Sequence, residues 1–334
     1  MKNSRKKKHN MKKVLVTGAG GFIGSHLAEL LAEQGFSVKA LVRYNSGNNW
    51  GWLESSPWKD KMMIVTGDIR DFDSVYSAMK DCDSVFHLAA LIGIPYSYVS
   101  PLAYIHTNIT GTYNVLQSAR ELGLENILIT STSETYGSAQ YVPIDEHHPM
   151  VGQSPYSASK IAADQLAISY YRSFGLPVKI VRPFNTYGPR QSARAFIPSV
   201  ISQILSGKDE ITAGNLHPTR DLTYVTDTVN GFLEIAKAPG LAGEITNIGM
   251  GKEISMADLV QLIARIIGKE ITVRTDPGRA RTENSEVDRL LCSNTKILSS
   301  TNWRPAHDLA SGLEHTVEWC RSHLHLYKAD IYNI

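Results

Sequence analysis

Tyr156 and Lys160 stand four residues apart in Tyr156-Ser157-Ala158-Ser159-Lys160, a spacing that puts both side chains on one face of a helical turn. A phenol with an unperturbed pKa of ~10 is a poor base at neutral pH. An ammonium one turn away stabilises the phenolate and also reaches the ribose of a bound cofactor. About 130 residues upstream lies Thr17-Gly18-Ala19-Gly20-Gly21-Phe22-Ile23-Gly24. A pyrophosphate cradle needs a tight turn, a close backbone approach and a close helix–strand contact. Gly18, Gly21 and Gly24 supply a residue without a side chain for each. The helix that follows, with Phe22 and Ile23 at its start, points its N-terminus at the phosphates. The spacing is GxxGxxG, not GxGxxG. Together the two motifs imply proton removal from a hydroxyl beside a dinucleotide.

The end of the second strand bears on which dinucleotide that is. An acid there would bind both ribose hydroxyls of NAD. The chain reads Leu41-Val42-Arg43-Tyr44-Asn45-Ser46, with no acid and with Arg43, whose guanidinium matches a 2′-phosphate. NADP is therefore expected, with NAD as the alternative. Gly67-Asp68-Ile69, after the third strand, is expected to set a carboxylate and a backbone N–H beside the adenine.

These residues need a scaffold that holds them at strand ends, and the apolar pattern provides one. Strands are expected at 13–17, 37–42, 63–66, 84–88, 126–130 and 178–182, with helices at 23–34 and 156–174. Strand, helix and strand at this spacing imply right-handed crossovers and a parallel sheet covered on both faces. The regularity loosens beyond 183–189, where helices are expected at 191–205, 256–267 and 309–321. The expected fold is α/β, a Rossmann-type doubly wound parallel sheet with a smaller C-terminal α/β substrate lobe. The first is expected over 12–185, with segments near 222–250 returning to it, and the lobe over 186–334.

Of the 334 residues, 43% are hydrophobic and 20% charged, which excludes a disordered or collagen-like chain. The net charge of +2 conceals a basic tail. Residues 1–13 hold seven of the 34 Lys and Arg and no acid, leaving 27 basic against 32 acidic residues. An acidic body argues against nucleic acid as a partner. Residues 1–11 are expected to be a disordered leader, since no apolar stretch follows to make a secretory signal. No run of ~18 apolar residues occurs, so no membrane partner is expected. Cys82, Cys292 and Cys320 are odd in number and far apart, which fits a reduced cytoplasm and no metal site. His147, His148, His217 and His307 are expected at the surface, and Asp71 and Asp73 as helix caps.

With both motifs in order, the chain resembles the extended short-chain dehydrogenase/reductase superfamily, in its branch of nucleotide-sugar epimerases and dehydratases. The resemblance spans residues 12 to about 320. Four further pieces carry it: His87-Leu88-Ala89-Ala90, Asn108-Ile109-Thr110-Gly111-Thr112, Arg182-Pro183-Phe184-Asn185-Thr186-Tyr187-Gly188-Pro189, and Arg220-Asp221-Leu222-Thr223-Tyr224-Val225-Thr226-Asp227. It implies that Leu88, Ala89 and Ala90 line the cofactor and that Asn185 holds the sugar phosphate. Arg220 and Arg281, with Arg190 and Arg279 beside them, are expected to meet a nucleotide diphosphate. Helices around 107–122 and 157–174 have apolar faces beyond what one sheet covers, and relatives pair them into a homodimer.

Ser131-Thr132-Ser133-Glu134-Thr135-Tyr136-Gly137 discriminates within the branch. Epimerases usually carry small neutral residues at Ser133-Glu134, whereas 4,6-dehydratases carry Asp-Glu or Ser-Glu; GDP-mannose dehydratases resemble the Thr-Ser-Glu here. Once C4 of the hexose is a ketone, the C5 hydrogen is acidic, and a carboxylate removes it as the C6 hydroxyl leaves. Tyr156, aided by Lys160 and Thr132, is the expected base for the 4-hydroxyl, and Glu134 the base at C5. Where this chain has Ser133, dTDP-glucose dehydratases carry the Asp that protonates the leaving hydroxyl. Glu134 or a water then carries that proton too. Residues 45–53 and Ser285-Glu286-Val287 are similar to bacterial dehydratases acting on nucleotide-linked N-acetylglucosamine in nonulosonic acid pathways. The expected product is a 4-keto-6-deoxy sugar from a UDP- or GDP-linked substrate. The alternatives are C4 epimerisation and C5 inversion of a 5,6-unsaturated sugar. Trp50, Trp52 and Trp58 either cover the cofactor or bury apolar area.

Overall fold

The computed structural model describes residues 11–279 and 285–329. Six strands appear in the first half: β1 (Lys13–Thr17), β2 (Ser37–Arg43), β3 (Met62–Gly67), β4 (Ser84–His87), β5 (Asn126–Thr130) and β6 (Val178–Pro183). With Ile245–Ile248 they form one seven-stranded sheet, in the order Ile245–Ile248, β6, β5, β4, β1, β2, β3. Every pairing in it is parallel. The chain order reverses beside β1, so the ends of β1 and β4 open a crevice where ligands bind in sheets of this kind.

Period-two alternation sends successive side chains of each strand into different cores. Val14 and Val16 pack with Leu27 and Leu31 of α1 (Phe22–Glu33) and with Phe232. Leu15 packs on the other face with Val115, Ile127 and Ile129. Strands buried on both sides read as continuous apolar runs, which is why they were legible.

The long helix Pro155–Phe174 has unambiguous ends. Ser154 and Ser157 form a reciprocal capping box, Pro155 occupies the first turn, and Gly175 ends the helix in the left-handed region. Asp71 caps Phe72–Met79 by accepting from the Ser74 amide. Two elements differ from expectation. The helix expected at 191–205 begins only at Phe196, because the chain turns at Gly188–Gln191, with Arg190 at a φ of 70°, and is extended at Ala195. Ahead of Gly111–Leu122 the helix widens into a π segment, Ile105–Thr110, which side-chain periodicity does not announce.

The second lobe gathers Phe196–Leu205, Met256–Ile267 and Leu309–Ser322 around their own core. Beside them Thr219–Tyr224 pairs with Asn185–Tyr187, Glu253–Ser255 and Arg289–Leu290. Among the described residues, no helix is long and apolar enough to cross a membrane.

Candidate active site

Tyr156 and Lys160 project from the first turns of Pro155–Phe174 towards the ends of β5 and β6, both almost wholly buried. The Lys160 ammonium donates to the Thr130 carbonyl at the end of β5. Burial pushes the Tyr156 phenol above its usual range and the Lys160 ammonium below its own. A hydrogen bond with the Thr132 side chain acts against the rise in Tyr156, while the charge of Glu134 adds to it. Thr132, Glu134, Tyr156 and Lys160 are therefore brought together. The turn Ser133–Tyr136 fixes the acid: Thr132 caps it, its hydroxyl accepting from the Glu134 amide at 3.3 Å, and Ser133 is buried.

One turn beyond Lys160, Asp164 forms a wholly buried ion pair with Arg182 of β6 at 2.7 Å. Ser131 donates to the same carboxylate oxygen at 2.6 Å. The pair ties the helix to the sheet beneath the site, and the carboxylate favours the charged form of Lys160. Neither residue was singled out as functional from sequence. Asp164→Asn leaves the Arg182 charge buried without a counter-ion. It is expected to cost about 3–5 kcal/mol, read as a large fall in the urea midpoint. A loss below about 1 kcal/mol would show that Arg182 finds other compensation.

The glycine turn fits a dinucleotide. Gly18 sits at a φ of 70°, and a Cβ there would lie 2.8 Å from the Ala89 nitrogen. A Cβ on Gly24 would lie 2.1 Å from the Gly18 carbonyl oxygen, so α1 could not close on the turn. Gly21 caps α1 with no side-chain hydrogen bond, which leaves the amides of Phe22 and Ile23 to an anion. Leu88 and Ala89 both donate to the Thr17 hydroxyl at 3.1 Å, bringing the Leu88–Ala90 stretch beside the cradle.

Arg43 ends β2 opposite Gly67 and is exposed. Asp68 lies close enough for the charge of Arg43 to favour its ionised form, but its principal partner is Arg70, which lowers its pKa most. Ile69 packs under Gly111 and its carbonyl accepts from Asn114 at 2.9 Å. The tryptophans do not share one role. Trp50 and Trp58 pack on the core, and Trp52 meets Trp319 of the second lobe edge-on at 5.4 Å. It is the backbone of this loop that braces the cradle, with the Trp52 amide donating to the Gly20 carbonyl at 3.0 Å.

In the second lobe Asn185 has a buried amide oxygen without a hydrogen-bond partner, suited to a donor that arrives with a ligand. Arg220 is almost buried and pairs with Glu286 at 3.4 Å. Arg190 departs from its expected place. Its guanidinium is taken up in a two-point pair with Glu29 of α1, at 2.9 and 3.0 Å, and ties the lobe to that helix. Arg279 donates to the Thr212 carbonyl and meets Asp276 at 3.5 Å. Arg281 lies outside the described residues.

His147 and His217 are exposed as expected, whereas His148 and His307 depart from expectation. His148 is buried, accepting from the Gln140 amide at 2.9 Å and donating to the Pro149 carbonyl. His307 is held by the buried Asp227 carboxylate at 3.1 Å. His26 and His87 are held neutral. Burial lowers His26 to about 4, with Arg190 adding to the shift while the Phe22 carbonyl and Glu29 oppose it. Burial lowers His87 to about 3, with Lys160 adding to it. Both folded values lie below the unfolded value near 6.5. The unfolded chain therefore binds more protons in between, and stability present above pH ~6.5 is lost as pH falls. Moving from about pH 7 to about pH 5.5 is expected to cost about 1 kcal/mol for each histidine. An unchanged urea midpoint would show that neither leaves its neutral form at a cost.

A doubly wound parallel sheet with a glycine-rich turn at its crevice and a buried Tyr–Lys pair defines a dinucleotide enzyme of the short-chain dehydrogenase/reductase type. The family described as GDP-mannose 4,6 dehydratase matches residues 15–316. The chain belongs to that family, within the extended short-chain dehydrogenase/reductase superfamily. It is 33% identical to a dTDP-glucose 4,6-dehydratase of Streptomyces antibioticus over 312 residues, 92% of each chain. It is also 33% identical to a putative UDP-glucose 4-epimerase of Methanocaldococcus jannaschii, over 92% of this chain and 98% of that one. The crystal structure of a dTDP-glucose 4,6-dehydratase from Streptomyces venezuelae with NAD and TYD bound superposes with a TM-score of 0.86 at 30% identity, covering 95% and 99% of the two chains.

Proposed function

We propose that the protein is a nucleotide-sugar 4,6-dehydratase acting on UDP- or GDP-linked N-acetylglucosamine and releasing a 4-keto-6-deoxy sugar. The observation that carries the reading is Glu134, a carboxylate on the turn after β5 whose charge acts directly on Tyr156. Tyr156, steadied by Thr132 and Lys160, takes the proton of the 4-hydroxyl as C4 is oxidised. Glu134 then removes the C5 proton and passes it to the C6 hydroxyl, which departs as water; as C6 takes up the hydride, a proton from solvent reaches C5 through Glu134. When bound, an oxidised nicotinamide ring supplies the place where the C4 hydride is held until C6 receives it. Gly18, Gly21 and Gly24, with the amides of Phe22 and Ile23, would hold its pyrophosphate. Asp68 and Ile69 would meet the adenine, Leu88–Ala90 would line its path, and Lys160 would meet a ribose. Asn185, Arg220, Arg279 and Arg281 are the substrate-binding set. A panel of UDP-, GDP- and dTDP-hexoses tests the reading by mass. Loss of one water without net cofactor reduction is expected, and no loss from any sugar would overturn it.

C4 epimerisation is the second reading. Ser133 stands where dTDP-glucose dehydratases carry an acid, and epimerases are among the relatives at the same identity. Glu134 favours C5 chemistry.

The end of β2 supports NADP, because Arg43 is exposed there and no acid is present to repel a 2′-phosphate. The Streptomyces venezuelae structure carries NAD, which is the alternative. Equilibrium titration with both dinucleotides decides, and tighter NAD binding would overturn the choice. A homodimer through Gly111–Leu122 and Pro155–Phe174 is supported by Tyr113, Tyr171 and Phe174, all partly exposed on those helices. Sedimentation as a monomer at micromolar concentration would remove it.

A further inference from the structure

His87 closes β4 with its ring buried, between Thr17 ahead of the glycine cradle and Thr112 of the helix Gly111–Leu122. Its proton can be assigned from both sides. The Thr17 hydroxyl accepts from the Leu88 and Ala89 amides, each at 3.1 Å, so both its lone pairs are filled. Its own proton must go to the remaining partner, His87 Nδ1, at 2.8 Å. On the other side the Thr112 hydroxyl donates to the Asn108 carbonyl at 2.6 Å. Thr112 therefore accepts from His87 Nε2 at 3.2 Å. Both ends require the neutral Nε2–H tautomer.

Asn108, whose main-chain carbonyl takes the Thr112 proton, reaches the helix of the catalytic tyrosine with its side chain. Asn108 lies in the π segment. Its amide oxygen accepts from the Leu91 N–H, and its amide nitrogen donates to the Leu91 carbonyl and to the Ser159 hydroxyl, all at 2.9 Å. Ser159 donates in turn to the Tyr156 carbonyl at 2.7 Å. Every hydrogen in this run has one direction. A protonated His87 would set its Nδ1–H against the Thr17 proton and break the run at that end.

We propose that His87 is a positioning residue, a single-tautomer link that sets the register between the dinucleotide cradle and the Tyr156 helix. Its Nδ1 side orients Thr17 and the turn at Leu88–Ala89; its Nε2 side orients Thr112 and, through Asn108 and Ser159, the backbone of Tyr156. The inference rests on the reading of this site as a dinucleotide and Tyr–Lys centre, and holds equally for a dehydratase or an epimerase. Burial and the nearby Lys160 charge keep the ring neutral through the range in which the enzyme would work.

Nitrogen NMR of the histidine-labelled wild-type protein reads the tautomer without substrate. The expected spectrum shows His87 protonated at Nε2 only, and unchanged from about pH 8 to about pH 5. A ring protonated at Nδ1, or one titrating near 6.5, would overturn the proposal. Two variants then separate the two sides. His87→Asn keeps an acceptor towards Thr17 and loses the donor to Thr112. It should bind the dinucleotide normally, by tryptophan fluorescence, while kcat falls about tenfold, the worth of one hydrogen bond. His87→Gln keeps a donor towards Thr112 and should show the reverse, about tenfold weaker dinucleotide binding with kcat less affected. Parallel losses in both variants, or none, would contradict the link. If no nucleotide sugar is turned over, the tautomer and binding arms still decide, so failure of the functional reading is told apart. If a variant does not fold, the wild-type spectrum decides alone.

Discussion

Glu134→Gln is expected to stop dehydration while leaving oxidation of the sugar intact. Glutamine keeps the length of the side chain and its hydrogen-bonding reach, and the turn Ser133–Tyr136 is capped by Thr132 through a backbone amide that the change does not touch. What disappears is the proton acceptor. Removing a general base typically costs ~10²–10⁴ in rate, so elimination should nearly cease. Tyr156 and Lys160 remain, and the variant should accumulate reduced nicotinamide and a 4-keto hexose when mixed with substrate. The charge of Glu134 also disfavours the Tyr156 phenolate, so its loss should not slow the first step. Elimination at near the wild-type rate would leave Glu134 as a turn residue with no part in the chemistry.

Tyr156→Phe should lose the first step itself. Only the hydroxyl is removed. The ring stays in its cluster with Ile94 and Tyr104, edge-on to Tyr104 at 6.2 Å, so folding and dinucleotide binding should be retained. Without the phenol, nothing takes the proton of the 4-hydroxyl, and the rate should fall by ~10²–10⁴ with no transient reduced cofactor. Lys160 cannot substitute, because the ammonium that donates to the Thr130 carbonyl has no lone pair to take that proton. Undiminished activity in this variant would show that the Tyr–Lys pair is not the catalytic centre.

The contrast between these residues and their supports shows what a sequence discloses. Tyr156 and Lys160 were legible because four residues in a helix is a local geometry, and the glycine turn because a missing side chain is visible in the letters. The strands were legible because burial on both faces makes an unbroken apolar run. The supports were not, because their partners are distant along the chain. Arg182 meets Asp164 across 18 residues, Arg220 meets Glu286 across 66, and Arg190 meets Glu29 across 161. No spacing rule distinguishes an arginine that will face a phosphate from one that will face such a carboxylate. That is why Arg190 was placed towards the substrate and is found holding α1. His148 was expected outside for a related reason: its two hydrogen bonds are to backbone groups, which no residue pattern encodes.

The central claim is that one carbon is oxidised, its neighbour loses a proton and the next loses its hydroxyl, with the hydrogen of the first ending on the third. A nucleotide hexose carrying deuterium at C4, turned over by the wild-type enzyme in ordinary water and followed by mass and proton NMR, tests this directly. The account predicts a product lighter by one water, with the deuterium moved from C4 to C6 and a solvent proton at C5. A product of unchanged mass, with deuterium still at C4 and the configuration there inverted, would contradict it and make the enzyme an epimerase.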